Sequence, residues 1–177
     1  MEVVYPMENL NRQLLTNGFK FNDDLKIGTK KTLPEKIVQF GEGNFLRAFV
    51  DYMFDEINEQ GLFEGGITLI QPIPGGDFLR NVLNEQEGLY TLIARGREDG
   101  KEVAAKRLIT CVNRCINPYV DLDTYNTCAK NPELRFVVSN TTEAGISWKE
   151  EDMVTDQPQD SFPAKVCNFL YVRFKEF

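Results

Sequence analysis

A glycine turn between a short apolar run and an amphipathic stretch constrains the fold of this chain more than any other feature. The apolar run Lys36–Phe40 predicts a buried strand, and Gly41-Glu42-Gly43 follows it directly. Apolar residues then recur at helical spacing from Phe45 to Ile57, which predicts an amphipathic helix. A second strand-like run, Gly66–Gln71, comes next. Strand, glycine turn, helix and strand together predict a βαβ unit, the building block of a parallel sheet.

Strand-like and helix-like segments continue to alternate after this unit. A polar segment at 97–100 predicts a hairpin turn between two strands, and Ser161 predicts the cap of a last helix with Phe162, Val166, Phe169 and Leu170 on its inner face. The other predicted elements are strands at Tyr90–Arg95 and Val103–Ile116, a helix at Asp121–Lys130 and a buried strand at Leu134–Ser139.

This alternation predicts the fold class and the organisation of the chain. We expect an α/β fold: a Rossmann-like, doubly wound and mostly parallel sheet with helices on both faces. Residues 1–34 are interpreted as an N-terminal extension with one short helix at Met7–Leu15. Residues 35–177 are interpreted as a dinucleotide-binding domain.

The composition argues against several classes of function. Lys and Arg total 20 against 27 Asp and Glu, and the net charge of −7 disfavours binding to nucleic acid. No apolar run reaches about 18 residues and no signal peptide is visible, so we expect a cytoplasmic protein without membrane association. The four cysteines form no CxxC pair, so we expect reduced thiols and no metal site. The chain contains no histidine, so acid–base chemistry must use other side chains or lie on another segment.

The glycine turn predicts a nucleotide site. Gly41 permits a tight turn off the strand, and Gly43 lets the backbone approach a diphosphate at the N-terminus of the helix that begins near Asn44. The predicted cofactor-binding residues on this turn are Gly41, Gly43, Asn44, Phe45 and Arg47. Leu46 stands where the usual fingerprint has a third glycine, and the pattern alone also fits a plain tight turn.

Two further segments could contact the nucleotide. Gln71 ends the second strand, where an acidic residue usually binds the adenosine ribose, and it is a candidate ribose acceptor or simply the end of a strand. A glutamine does not repel a 2′-phosphate, so NAD and NADP both remain open on this evidence. Asn140, Thr141, Thr142 and Glu143 follow the strand that ends at Ser139, where they could bind ribose or phosphate oxygens or could cap a helix.

Longer runs of this chain resemble the mannitol dehydrogenase family. The match continues in order over about residues 36–177, and the run VSNTTEAGIS is far more specific than the glycine turn. Leu46 and Gln71 also fit the family pattern. The segments that carry the resemblance are Ile37–Asp51, Gln71–Ile73, Gln86–Thr91, Val138–Ser147 and Phe162–Lys165.

The resemblance implies an NAD-dependent oxidoreductase of hexuronate breakdown that reduces tagaturonate to altronate, with fructuronate reduction as the nearest alternative. It also implies that the catalytic lysine, with its asparagine and histidine partners, lies on a second, mostly helical domain that is absent from this chain. We therefore expect no catalytic residue here and no activity from this chain alone. A sugar acid is the expected substrate of the complete enzyme, and the face left without the second domain could cause self-association.

Two other interpretations remain open. The chain could be a nucleotide-binding or regulatory module without chemistry. It could also be a short-chain type of reductase, because Tyr171 and Lys175 have the Tyr-x-x-x-Lys spacing of those enzymes. The serine that should precede the tyrosine by about a dozen residues is missing, since the nearest one is the capping residue Ser161. This spacing is therefore interpreted as a chance match.

Overall fold

Four parallel strands form the main sheet of the protein. The computed structural model describes residues 9–75, 77–153, 155 and 161–177. In the main sheet, β2 (Glu35–Phe40) lies between β3 (Gly66–Ile70) and β7 (Phe136–Ser139), and β6 (Val112–Ile116) pairs with the other side of β3. All three pairings are parallel. The glycine turn therefore follows an inner strand, as predicted.

Helices cover both faces of the main sheet. On one face, α1 (Asn44–Glu59) and α2 (Asp77–Glu85) pack on side chains that include Ile37 and Leu69. On the other face, α3 (Leu122–Ala129) and α4 (Phe162–Glu176) enclose an aromatic core around Phe40. Neighbouring strand residues point to opposite faces, so each strand supplies both cores. The predicted doubly wound α/β fold is confirmed.

A second, three-stranded sheet joins the N-terminal segment to the rest of the fold. The hairpin of β4 (Tyr90–Glu98) and β5 (Lys101–Ile109) turns at residues 99 and 100, within the predicted turn. β1 (Leu25–Ile27) pairs with β5 in parallel. Of the predicted helix at Met7–Leu15, residues 1–8 lie outside the described part, and a short 3-10 helix forms at Arg12–Leu15. The part of the extension from residue 9 onwards thus packs on the domain.

The structure corrects four details of the sequence analysis. The predicted strand Val103–Ile116 is divided at residues 110–111 between the two sheets. α2 was not predicted at all. β7 is an edge strand with mostly exposed side chains among the described residues, and it is neither buried nor central. On α4, Leu170 is 47% exposed, and Val172 takes the predicted inner position because it packs against α3 and Phe40.

The inner face of α1 is more polar than the spacing of its apolar residues predicts. Its buried residues are Leu46, Asp51, Asp55 and Asn58. Three large apolar side chains on the same helix are exposed instead: Phe45, Phe49 and Met53. The polar residues are tolerated inside because each one has a hydrogen-bonding partner there. No helix in the described ranges has the length and apolarity needed to cross a bilayer.

Candidate functional site

The four strands of the main sheet end together, which gathers the predicted site residues at one edge. Phe40 pairs with both Ile70 and Ser139, and Ile70 pairs with Ile116. The glycine turn, Gln71 and the loop from Asn140 consequently begin side by side. This carboxyl edge of a parallel sheet, where the strand order reverses between β2 and β7, is where open α/β sheets bind ligands.

Each glycine of the turn has a different structural role. Gly41 has a φ of +111°, a conformation that strains any residue with a side chain, and its N–H donates to Ile70 O over 2.9 Å. Gly43 has an ordinary φ of −67° and is the N-cap residue of α1. A Cβ atom added at Gly43 would have no neighbour within 4 Å, so the backbone there borders open space. Gly41 shapes the turn, and Gly43 leaves it accessible.

The first turn of α1 presents unfilled donors to this space. The first N–H groups of a helix have no intrahelical partner, and no side chain caps them in α1. Gly43 and Asn44 are exposed. An uncapped helix N-terminus attracts an anion through these N–H groups and through the helix dipole.

Arg47 braces the turn from its side. Its Nε donates to Glu42 O over 2.8 Å, and its guanidinium donates to Asn44 Oδ1 over 2.6 Å. The same guanidinium lies 5.2 Å from the centre of the Tyr90 ring. Phe45 is exposed and packs against Phe49, with ring centres 5.6 Å apart. Of the predicted residues, Asn44 and Arg47 therefore contact each other directly.

Gln71 is fully buried and holds the loop that follows β3. Its side-chain amide donates to Ile73 O over 3.0 Å and also to Gly75 O. Its Oε1 is buried without a hydrogen-bonding partner among the described residues. The expected ribose contact would use this oxygen, which is buried in the structure.

The third predicted segment is open to solvent. Asn140, Thr141, Thr142 and Glu143 are all exposed. A short 3-10 helix follows at Glu143–Ile146, and Thr142 is its N-cap residue without making a side-chain capping bond. The alternative capping role thus has little support, and the hydroxyl and amide groups are free to meet a ligand.

Asp51, Gln39 and Tyr90 lie directly beneath the turn and were not predicted. Asp51 and Gln39 are fully buried. The Gln39 amide donates to Gly41 O over 3.1 Å, and the Tyr90 hydroxyl lies 2.9 Å from Arg47 O and 2.8 Å from Asp51 Oδ2. Burial raises the pKa of Asp51 to about 7, although hydrogen bonds from Tyr90 and Gln39 act in the opposite direction. Burial also raises the pKa of Glu42 on the turn itself.

Lys165 is a second site feature that sequence reasoning missed. It is fully buried near the start of α4, where its ammonium donates to Pro72 O and lies 5.0 Å from the Tyr119 ring centre. Lys165 and Gln71 therefore hold the loop after β3 from two directions. The sequence did contain a signal for this residue, since a lysine stands on the inner side of a predicted amphipathic helix. Lysine is rarely buried without a partner, so this position indicates a specific contact.

Tyr171 and Lys175 lie at the opposite end of the sheet from the glycine turn. The ammonium of Lys175 is 5.4 Å from the Tyr171 ring centre, so the two residues do share one helix face. Between them, Arg173 donates to Asn131 O, and Asn131 donates to Glu35 O at the start of β2. The pair is thus near the amino ends of the strands, which gives no support to the short-chain reductase interpretation. In the described part of the chain, no cluster of three or more His, Cys, Asp or Glu residues could hold a metal ion.

The fold and site geometry agree with the comparison to known families. A family model described as the mannitol dehydrogenase Rossmann domain matches residues 35–177. The chain belongs to this family. The matched range is the same as the range interpreted from the sequence as the dinucleotide-binding domain.

Curated relatives of this mannitol dehydrogenase family chain are altronate oxidoreductases. The protein of Yersinia enterocolitica is 51% identical over 145 residues, which are 81% of this chain and 30% of the relative. The protein of Bacillus subtilis is 45% identical over 144 residues, with the same coverage of 81% and 30%. This chain therefore spans about 30% of the length of the relatives it matches.

Solved structures of polyol dehydrogenases have the same fold as this chain. Mannitol 2-dehydrogenase of Pseudomonas fluorescens, solved as a ternary complex with NAD and D-mannitol, superposes with a TM-score of 0.75 and 19% identity, covering 95% of this chain and 36% of that one. A substrate-free D-sorbitol dehydrogenase gives a TM-score of 0.73 and 18% identity, with coverage of 94% and 36%. At this identity the similarity shows the Rossmann fold.

The residues at the glycine turn fit a dinucleotide. A diphosphate needs close backbone approach and N–H donors, and the open space at Gly43 beside the uncapped start of α1 offers both. The exposed polar side chains 140–143 could bind ribose oxygens from the neighbouring strand end.

Proposed function

We propose that this chain binds NAD(H) at the Gly41–Arg47 turn and is the nucleotide-binding part of an oxidoreductase that reduces tagaturonate to altronate. The observation that carries the proposal is the open backbone at Gly43, which lies at the uncapped N-terminus of α1 beyond an inner parallel strand. Family membership and the altronate oxidoreductase relatives support the substrate class.

The roles of the individual residues follow from their positions. N–H groups of the first turn of α1 would hold the diphosphate, with Gly41 shaping the bend and Arg47 bracing it through Glu42 O and Asn44. Asn140, Thr141, Thr142 and Glu143 would contact ribose oxygens. Gln71 would bind the adenosine ribose only after the loop 72–75 releases its side chain. The bound nicotinamide would supply the hydride that reduces the substrate carbonyl.

Catalysis is assigned to a part of the enzyme outside this chain. The resemblance to the mannitol dehydrogenase family implies that the proton-donating lysine lies on a second domain, and the ammonium of Lys165 at the carboxyl edge donates to Pro72 O. We propose that this chain alone is inactive, that the complete enzyme works in the cytoplasm, and that its substrate is a sugar acid. NAD is preferred to NADP because a neighbour with the same fold was solved with NAD.

Nucleotide titration of this chain tests the proposal. The dissociation constant of NADH, followed by its fluorescence, should rise at least tenfold in Gly43→Val, because the new side chain fills the space a diphosphate needs. Gly96→Val is the matched control, since Gly96 also borders open space but lies on β4. NADPH measured in parallel tests the preference for NAD. Absence of NADH binding, or equal effects of the two valines, would contradict the proposal.

An activity assay distinguishes the alternatives. We expect no oxidation of NADH by this chain with tagaturonate or fructuronate. Turnover by the wild-type chain would contradict its assignment as a nucleotide-binding part. Loss of that turnover in Tyr171→Phe would then favour the short-chain reductase interpretation.

A further inference from the structure

The Tyr90 hydroxyl has one hydrogen but lies close to two oxygen atoms. It is 2.8 Å from Asp51 Oδ2 and 2.9 Å from Arg47 O. A carbonyl oxygen can only accept, and an ionised carboxylate can also only accept. With Asp51 ionised, one of the two short contacts would lack a hydrogen. With Asp51 neutral, its carboxyl can donate to Tyr90 while Tyr90 donates to Arg47 O, so both contacts are satisfied.

The surroundings of the second carboxyl oxygen, Asp51 Oδ1, also favour the neutral form. Asp51 Oδ1 is buried without a hydrogen-bonding donor among the described residues, and Gln39 Oε1 is buried without one as well. The Gln39 amide nitrogen must face Gly41 O, which accepts from it over 3.1 Å, so its Oε1 cannot be exchanged with the nitrogen. Hydrogen bonding by Gln39 and the positive charge of Arg47 favour an ionised Asp51, but burial opposes ionisation more strongly and raises the pKa of Asp51.

The charged and titratable groups around Asp51 come from three elements. On α1 these are Arg47, whose positive charge favours ionisation, and Asp55, whose negative charge opposes it. On β4 it is Tyr90, and between β5 and β6 it is Cys111, whose thiol donates to Asp51 O over 3.3 Å. Asp55 is itself paired with Arg107 at 2.6 Å. Burial raises the pKa values of Tyr90 and Cys111 well above their ordinary range, so both remain neutral near pH 7.

We propose that Asp51 is a neutral carboxylic acid in the folded protein, and that as a positioning residue it holds the first turn of α1, through Tyr90 and Arg47 O, in the geometry that binds the dinucleotide. This inference rests on the proposed nucleotide site. Loss of the proton breaks the chain of hydrogen bonds from Asp51 through Tyr90 to Arg47 O. It also adds a negative charge to α1 beneath the first turn, which must accept an anionic diphosphate.

The coupling between the proton and the nucleotide is reciprocal. A ligand that binds the neutral form more tightly must raise the pKa of Asp51, and a rising pH must weaken the ligand. If nucleotide binding raises the pKa of Asp51 by about one unit, the affinity for the nucleotide changes about tenfold between the neutral and the ionised form. The chain contains no histidine, so no imidazole titrates in the same range.

The first test is the dissociation constant of NADH for this chain between pH 6 and 9. We expect the wild-type constant to rise about tenfold across this range, with a midpoint near the Asp51 pKa of about 7. Asp51→Asn should bind NADH with a constant that varies little with pH, because its amide can donate to Tyr90 at every pH. Equal pH profiles for the wild type and Asp51→Asn, or a flat wild-type profile, would overturn the proposal.

A second test needs neither a variant nor the nucleotide. In a carbon-13 NMR titration of the wild-type chain, the chemical shift of the Asp51 carboxyl carbon should change near neutral pH. Ordinary aspartates titrate at a much lower pH. A carboxyl that is already ionised at pH 5 would overturn the proposal. If NADH binds at no pH, the proposed function and the coupling both fail, whereas this titration still decides whether Asp51 is neutral.

Discussion

Removal of the Asp55 carboxylate should destabilise the fold more than any change at its surface. Asp55 is fully buried on α1 and accepts four hydrogen bonds: from Arg107 Nε at 2.6 Å, Thr110 N at 2.8 Å, Thr110 Oγ1 at 3.0 Å and Cys111 N at 3.0 Å. These bonds lie where the chain passes from the small sheet to the main sheet. Asp55 therefore ties α1 to both sheets.

The magnitude follows from what Asp55→Ala leaves behind. Arg107 is almost completely buried and would retain only Glu59, at 2.7 Å, while two backbone N–H groups would lose their acceptor. Breaking a buried ion pair from one side costs about 3–5 kcal/mol. For a chain of this size, that loss lowers the melting temperature by roughly 6–20 °C. Asp55→Asn should cost less, because its amide oxygen can still accept from Thr110 and Cys111.

Thermal and urea unfolding, followed by circular dichroism, measure this effect. Glu102→Ala is the control, because its contact with Arg97 is 3.9 Å long and both side chains are mostly exposed, so we expect a change below about 0.5 kcal/mol. If Asp55→Ala costs less than about 1 kcal/mol, the reasoning that Asp55 connects the two sheets is refuted.

Three further outcomes are expected. Gly41→Ala should lower the free energy of unfolding by about 1–2 kcal/mol, because the φ of +111° at Gly41 strains a residue that has a side chain. Gly96→Ala should not lower it, since a Cβ atom at Gly96 meets open space. Similar losses for the two variants in urea unfolding would contradict this prediction. Burial raises the pKa of Asp51 from its ordinary value of 3.8 to about 7, so between these pH values the folded state binds one proton more than the unfolded state. The free energy of unfolding should therefore fall as pH rises, by up to about 4 kcal/mol in total. Unfolding curves of Asp51→Asn should lack this decline. The chain should self-associate through the exposed apolar residues Phe45, Phe49 and Met53, and Phe49→Gln should weaken this association. A wild-type chain that sediments as a monomer at every concentration would refute the prediction.

Much of the fold could be read from local patterns. The sequence predicted the strand at 35–40, the turn after it and the helix from Asn44. The patterns that indicate these elements, an apolar run, a glycine pair and apolar residues at helical spacing, involve only neighbouring residues. The hairpin turn and the cap at Ser161 were predicted for the same reason. α2 was overlooked, although the spacing of Leu79, Val82 and Leu83 is helical.

The face of α1 could not be predicted in this way. Periodicity alone does not distinguish an apolar stripe that packs inward from one that is exposed, and Phe45, Phe49 and Met53 are exposed. Asp51 and Asp55 can be buried because Tyr90 and Cys111 supply hydrogen-bonding partners inside the fold. These partners are 39 and 56 residues away in the sequence. Such pairings exist only after the two sheets have formed.

The sequence by itself determined the order of strands and helices, the position of the glycine turn and the family to which the chain belongs. It did so because backbone preferences and the alternation of apolar residues act over a few neighbouring positions. Only the tertiary structure decided that the three predicted segments meet at one edge, that β7 is an edge strand and that the buried Asp51 carboxyl lies beneath the glycine turn. Burial and hydrogen bonding between distant residues, and not local preference, set these features.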